Sequence, residues 1–143
     1  MPGAPFTVAD TLELPSVACA TAATATRTFG RRPEEVPPAR RFVRDALDGH
    51  PGSFDAELLT CELVTNAVQH ASDAGWVIVA VMRRGAVVHV DVIDDGRSGL
   101  PHWREATGQD EGGRGFQLVN EIAQRWGFLR EQAGTCVWFE IGA

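Results

Sequence analysis

The sequence predicts an α+β domain, a two-layer α/β sandwich whose mixed sheet is mostly antiparallel and carries helices on one face. Three observations lead there. Two apolar, β-branched runs, Trp76–Met82 and Val87–Ile93, flank the turn Arg83-Arg84-Gly85-Ala86, which is the pattern of a hairpin. Stretches with apolar residues at helical spacing stand before and after that hairpin. The chain has 143 residues, 44% hydrophobic and 22% charged, the size and make-up of one domain able to bury a core.

The elements follow in order. Residues 1–20 are interrupted by Pro2, Pro5 and Pro15 and are expected to be weakly ordered, with 21–143 forming a single domain. Thr24–Phe29 alternates β-branched residues with others and reads as an edge strand. Pro33, Pro37 and Pro38 open a helix, where a missing N–H costs nothing. Its body, Ala39–Asp48, buries Phe42, Val43, Ala46 and Leu47 before Gly49–Gly52 breaks it. Ser53 caps a long helix that runs to about Ser72. After the hairpin, Asp94–Gly115 holds six of the 15 glycines and reads as a functional loop, with a flexible lid at about 96–114. Phe116, Val119, Ile122, Ala123 and Trp126 mark a helix over Phe116–Trp126. Gly127–Arg130 and Thr135–Ile141 close the chain as strands.

Composition narrows the chemistry. All 13 basic residues are Arg, so there is no lysine for a P-loop, for a protein-kinase strand or for a Schiff base. The net charge of −6 argues against nucleic acid as a direct partner. Residues 27–44 nevertheless hold six Arg against two Glu, either a solvated face or a docking surface for an acidic protein. The three cysteines form no CxxC pair, and the four histidines show no HExxH spacing. No apolar run reaches membrane-spanning length and no secretory signal is visible, so the expected address is a reducing cytoplasm.

Four segments carry candidate chemistry. In Glu62-Leu63-Val64-Thr65-Asn66-Ala67-Val68-Gln69-His70, the residues Glu62, Asn66 and His70 recur at i, i+4, i+8. They drift by only about 80° over two turns and form one polar stripe between apolar shoulders. An amide oxygen there suits Mg²⁺, which takes few protein ligands beside phosphates and water, and a carboxylate one turn away can deprotonate a nucleophile. Next, the apolar strand Val90–Ile93 runs into Asp94, Asp95, Gly96 and Gly99, where a fixed carboxylate can accept from the exocyclic amine of adenine. Third, Gly112, Gly113, Arg114 and Gly115 enter a helix N-terminus, an anion site built from free N–H groups and the helix dipole. Last, Thr135 starts a buried strand and can hydrogen-bond into a neighbouring site. Taken singly, these are a polar helix rim, an Asp-Gly turn, a helix cap and a Gly-Thr turn, all commonplace.

Their order and spacing together resemble the histidine-kinase-like ATPase superfamily, the fold shared by gyrase B and sensor-kinase catalytic domains, over roughly residues 36–142. The matching motifs are the N box (Glu62, Asn66, His70), the first glycine box (Asp94, Gly96, Gly99), the second (Gly113, Gly115) and Thr135. The helix "ELVTNAVQHA" is most similar to that of the stand-alone anti-sigma-factor serine/threonine kinases. The resemblance implies a Bergerat ATP-binding fold with ATP and Mg²⁺ as cofactors. It implies that Asn66 holds the metal and that Glu62 is the catalytic base on a protein hydroxyl. Asp94 and Thr135 would read adenine, Gly96 and Gly99 would shape the adenine side, and Gly113, Arg114 and Gly115 would cradle phosphates. The implied partners are a sigma factor and an anti-sigma-factor antagonist protein, the antagonist being phosphorylated on Ser or Thr. A homodimer with a docking surface near Arg40, Arg41 and Arg44 is implied as well. Two departures stand out: the first glycine box is one residue longer than the commoner form, and Glu111 stands where some relatives have Arg. They leave a non-catalytic, nucleotide-gated protein-binding module as the alternative reading.

Overall fold

The structure is a computed structural model that describes residues 25–69, 75–95, 111–131 and 134–142, without the side chains of 111–116 and 131. In chain order it contains β1 (Ala25–Gly30), a 3-10 turn (Pro33–Glu35), α1 (Val36–Ala46), α2 (Ser53–Gln69), β2 (Trp76–Arg84) and β3 (Val87–Asp94). Then come α3 (Glu111–Ile122), β4 (Arg125–Glu131) and β5 (Gly134–Ile141). The strands make one five-stranded sheet in the order β1-β2-β3-β5-β4, and every described pairing is antiparallel. β1 lies at an edge, as its alternation predicts.

Strand periodicity assigns the two faces. Val77, Val79 and Val81 of β2, Val88, Val90 and Val92 of β3, and Val137, Phe139 and Ile141 of β5 point one way. They form a single core with Ala39 and Val43 of α1, Leu59, Leu63 and Val64 of α2, and Val119 of α3. The intervening residues occupy the other face. There the two ring nitrogens of His89 lie within hydrogen-bond distance of Glu140 and Asp91 carboxylate oxygens, each at 2.9 Å. The His89 ring also stacks on Trp138, with centroids 5.4 Å apart.

Local polar contacts fix the connections. His50, buried between α1 and α2, accepts from Gly52 N–H through Nδ1 at 2.9 Å and donates through Nε2 to the Gly85 carbonyl at 2.8 Å. The α1–α2 connection is thereby tied to the β2–β3 turn.

The last helix departs from the sequence expectation. It begins at Glu111 and ends at Ile122, whereas the spacing suggested Phe116–Trp126. Trp126 belongs to β4, opposite Phe139 of β5, and Gln124 N–H already bonds the Glu140 carbonyl at 2.8 Å. Val119, Ile122, Ala123 and Trp126 fit a helical stripe, but Trp126 and Phe128 also fit strand alternation, and pairing with β5 decides between them.

The arginine-rich segment also makes contacts within the chain. Arg40 and Arg44 bind Glu57 of α2, at 3.1 Å and 2.7 Å, and lock α1 to α2. Arg31 is buried, and Arg27 lies over the rings of Phe29 and Phe42 at 6.0 Å and 5.8 Å. Arg40, Arg41 and Arg44 all remain exposed. Among the described residues, no helix is long and apolar enough to cross a membrane.

Candidate functional site

α2 carries the first part of the site. Leu59, Leu63, Val64, Ala67 and Val68 press it onto the sheet, and this orientation leaves Glu62 and Asn66 half-buried, one turn apart. The Oδ1 atom of Asn66 is shut off from solvent and has no hydrogen-bond partner. Leaving such an acceptor unsatisfied costs about 1–3 kcal/mol, so it marks a place where a donor or a cation belongs.

The second part lies at one end of the sheet. Asp94, the last residue of β3, pairs with Thr135 of β5 on one side and with Val77 of β2 on the other. Asp94 and Thr135 are both buried, and Thr135 Oγ1 is a second buried oxygen without a partner. The strands come this close because residue 134 is glycine. A Cβ there would drive far inside van der Waals contact with the Asp94 carbonyl oxygen. Gly134, which reads in the sequence as an ordinary turn residue, is therefore a spacing element of the site.

Arg31 joins the two parts, and no motif pointed to it. Its side chain is 0% exposed. Nε and Nη2 donate to the Ala67 carbonyl at 3.2 and 3.1 Å, and Nη1 forms an ion pair with Asp95. Ala67 follows Asn66 and offers one of the carbonyls that a helix end leaves unpaired. Asp95 follows Asp94. The Arg31 backbone N–H also bonds the Gly75 carbonyl at 3.3 Å. Gly75 has φ +128, and a Cβ on it would meet Asp95 Oδ2 at 2.5 Å and Arg31 Cδ at 3.1 Å. Only the arginine run and the doubled acid Asp94-Asp95 hint at this node in the sequence, and neither says what pairs with what.

The remaining candidates fall as follows. Gly113, Arg114 and Gly115 sit in the first turns of α3, which packs beside α2. His70, Gly96 and Gly99 lie outside the described residues, as does the expected lid up to residue 110. Two groups on α2 are shifted by their surroundings. Burial pushes the Cys61 thiol up, and hydrogen bonds from Arg44 hold the Glu57 carboxyl below its usual range. Among the described residues, no cluster of three or more His, Cys, Asp or Glu can hold a metal. A cation here would rest on few protein ligands, as Mg²⁺ bound to phosphates does.

The chain's residues 29–141 match the family model described as histidine kinase-like ATPase domain. The chain belongs to that family, and the family carries ATP binding with it. Among solved structures, the chain is similar to the crystal structure of the RsbU and RsbW domains of Rv1364c from Mycobacterium tuberculosis. The TM-score is 0.60 at 20% identity, over 82% of this chain and 32% of that one. At that identity the likeness is one of fold, and this chain spans less than half the length of the other. No curated protein matches the chain.

Proposed function

We propose that the chain is an ATP- and Mg²⁺-dependent protein serine/threonine kinase that acts as an anti-sigma factor and phosphorylates its antagonist protein. One observation carries this reading: the buried, unpartnered Oδ1 of Asn66 lies one helical turn from the carboxylate of Glu62. The resemblance of the segment Glu62–His70 to the anti-sigma-factor kinases supplies the partner class.

The residues present fit the proposed ligands. Asn66 Oδ1 is a neutral oxygen suited to Mg²⁺, which when bound neutralises charge on the phosphates. Asp94, aided by Thr135, would accept the adenine amine, and the N-terminal turn of α3 would face phosphate oxygens with its N–H groups. Glu62 would take the proton of a Ser or Thr hydroxyl. That oxygen bonds to the γ-phosphorus as the bond from the γ-phosphorus to the bridging oxygen breaks, and ADP leaves. Phosphoryl transfer depends chiefly on positioning and charge stabilisation, so a small residue set suffices.

The lengthened first glycine box favours a second reading, a nucleotide-gated binding module without turnover. Incubation with labelled ATP, Mg²⁺ and candidate antagonists separates them. The kinase reading expects label on Ser or Thr with the wild type and none with Glu62→Ala. Stable binding of ATP and antagonist without any transfer would leave the gated module.

A further inference from the structure

We infer that the buried Arg31–Asp95 pair is a positioning device that sets the spacing between the phosphate-side Asn66 and the adenine-side Asp94. This rests on the nucleotide-site reading above. The guanidinium grips the two halves of the site at points directly adjoining their key residues. Two of its nitrogens hold the carbonyl of Ala67, next to Asn66, and a third holds the carboxylate of Asp95, next to Asp94. The side chains of Arg31 and Asp95 are 0% and 9% exposed.

A buried ion pair is a weak way to gain stability, because desolvation offsets the attraction. It does define geometry well, since the planar guanidinium donates in fixed directions. The surroundings are shaped to admit it. Gly75 has a backbone conformation that L side chains rarely adopt, and the space a Cβ would need there is taken by Asp95 and Arg31. The Gly75 carbonyl in turn accepts the Arg31 N–H, which continues the β1–β2 pairing beyond Gly30. The end of α2 is thus referenced to the ends of β1 and β3 through one side chain.

ATP must reach both halves at once, so its affinity depends on their spacing. A ligand touching only one half does not. The same logic governs linked binding modules, where mismatched spacing removes the advantage of linkage without weakening either contact.

The experiment measures binding of Mg·ATP, adenosine and Mg·pyrophosphate to wild type, Arg31→Met, Arg31→Lys and Asp95→Asn, with a melting curve for each. The expected result for Arg31→Met and Asp95→Asn is a loss of about tenfold or more for Mg·ATP, with adenosine and pyrophosphate each held to within about threefold. Arg31→Lys should fall between, because one ammonium cannot reproduce the fork. If Arg31→Met does not fold, Asp95→Asn, which keeps volume and an acceptor, decides the matter. Equal loss for all three ligands, or no loss for ATP, overturns the inference while leaving the nucleotide site standing. A wild type that binds no ATP overturns the nucleotide-site reading and this inference with it.

Discussion

Asp94 and Thr135 face each other across the β3–β5 pair, both buried, with Gly134 admitting the Asp94 carbonyl where a side chain would stand. A carboxylate held this way cannot swing far, and that is what discrimination by hydrogen bond requires. Asp94→Asn replaces one acceptor oxygen with a donor. The expected outcome is a loss of ATP affinity of about 1.5–3 kcal/mol, roughly 10- to 100-fold, with a reduced preference for ATP over GTP. Calorimetry with both nucleotides checks it.

Asn66 and Glu62 share a helix face but should separate cleanly in function. Asn66→Ala is expected to weaken ATP binding in Mg²⁺ by about tenfold or more, with a smaller change when the cation is chelated. Glu62→Ala should leave affinity nearly unchanged and lower phosphoryl transfer by about 10²- to 10⁴-fold, the usual contribution of a general base. Titration calorimetry and a label-transfer assay read the two effects independently.

Gly134→Ala tests the close approach of the strands. The added methyl would collide with backbone, which cannot rotate out of the way. The expected cost is about 1–3 kcal/mol of stability, read as a lower midpoint in urea. Gly85→Ala is the contrast: Gly85 has positive φ (+59), which Gly134 does not, and has nothing within 4 Å. It should lose only the backbone preference, about 1 kcal/mol or so.

Acid should loosen the α1–α2 lock before it reaches the core. Hydrogen bonds from Arg44 and Arg40 lower the Glu57 carboxyl from its ordinary 4.5. A lowered carboxyl stabilises the fold above its unfolded pKa, and that contribution fades as the pH falls through the folded value. Glu57→Gln should therefore be less stable than wild type at neutral pH, and the gap should close as the pH drops well below 4.5. Glu140, lowered chiefly by its hydrogen bond from His89, should behave in the same sense on the opposite sheet face. Denaturant melts between neutral pH and about pH 3 follow both.

Much of the fold was legible because it follows local rules. The β2–β3 hairpin announces itself through its turn and alternation, and α2 through its length and its apolar shoulders. The end of α3 was not legible, since Trp126 satisfies both a helical and a strand pattern until its partner Phe139 is known. That Glu62 and Asn66 share one helix, a turn apart, could be read because i, i+4 spacing fixes a shared face. Arg31 could not, because its role depends on Ala67 and Asp95, distant in sequence and brought near only when α2 packs on the sheet. The contacts of the arginine run could not be read for the same reason: its charge is visible, but Glu57, which pairs with Arg40 and Arg44, lies on the following helix.

The sheet's two rims also have a consequence for the protein in bulk. Among the described strands, β1 and β4 are each paired on one side only. Such borders can recruit a stranger's backbone and seed fibres. Arg27 on one rim, and Arg125 and Arg130 on the other, are exposed. Charged side chains along such borders are one device by which sheet edges are kept from pairing with another chain.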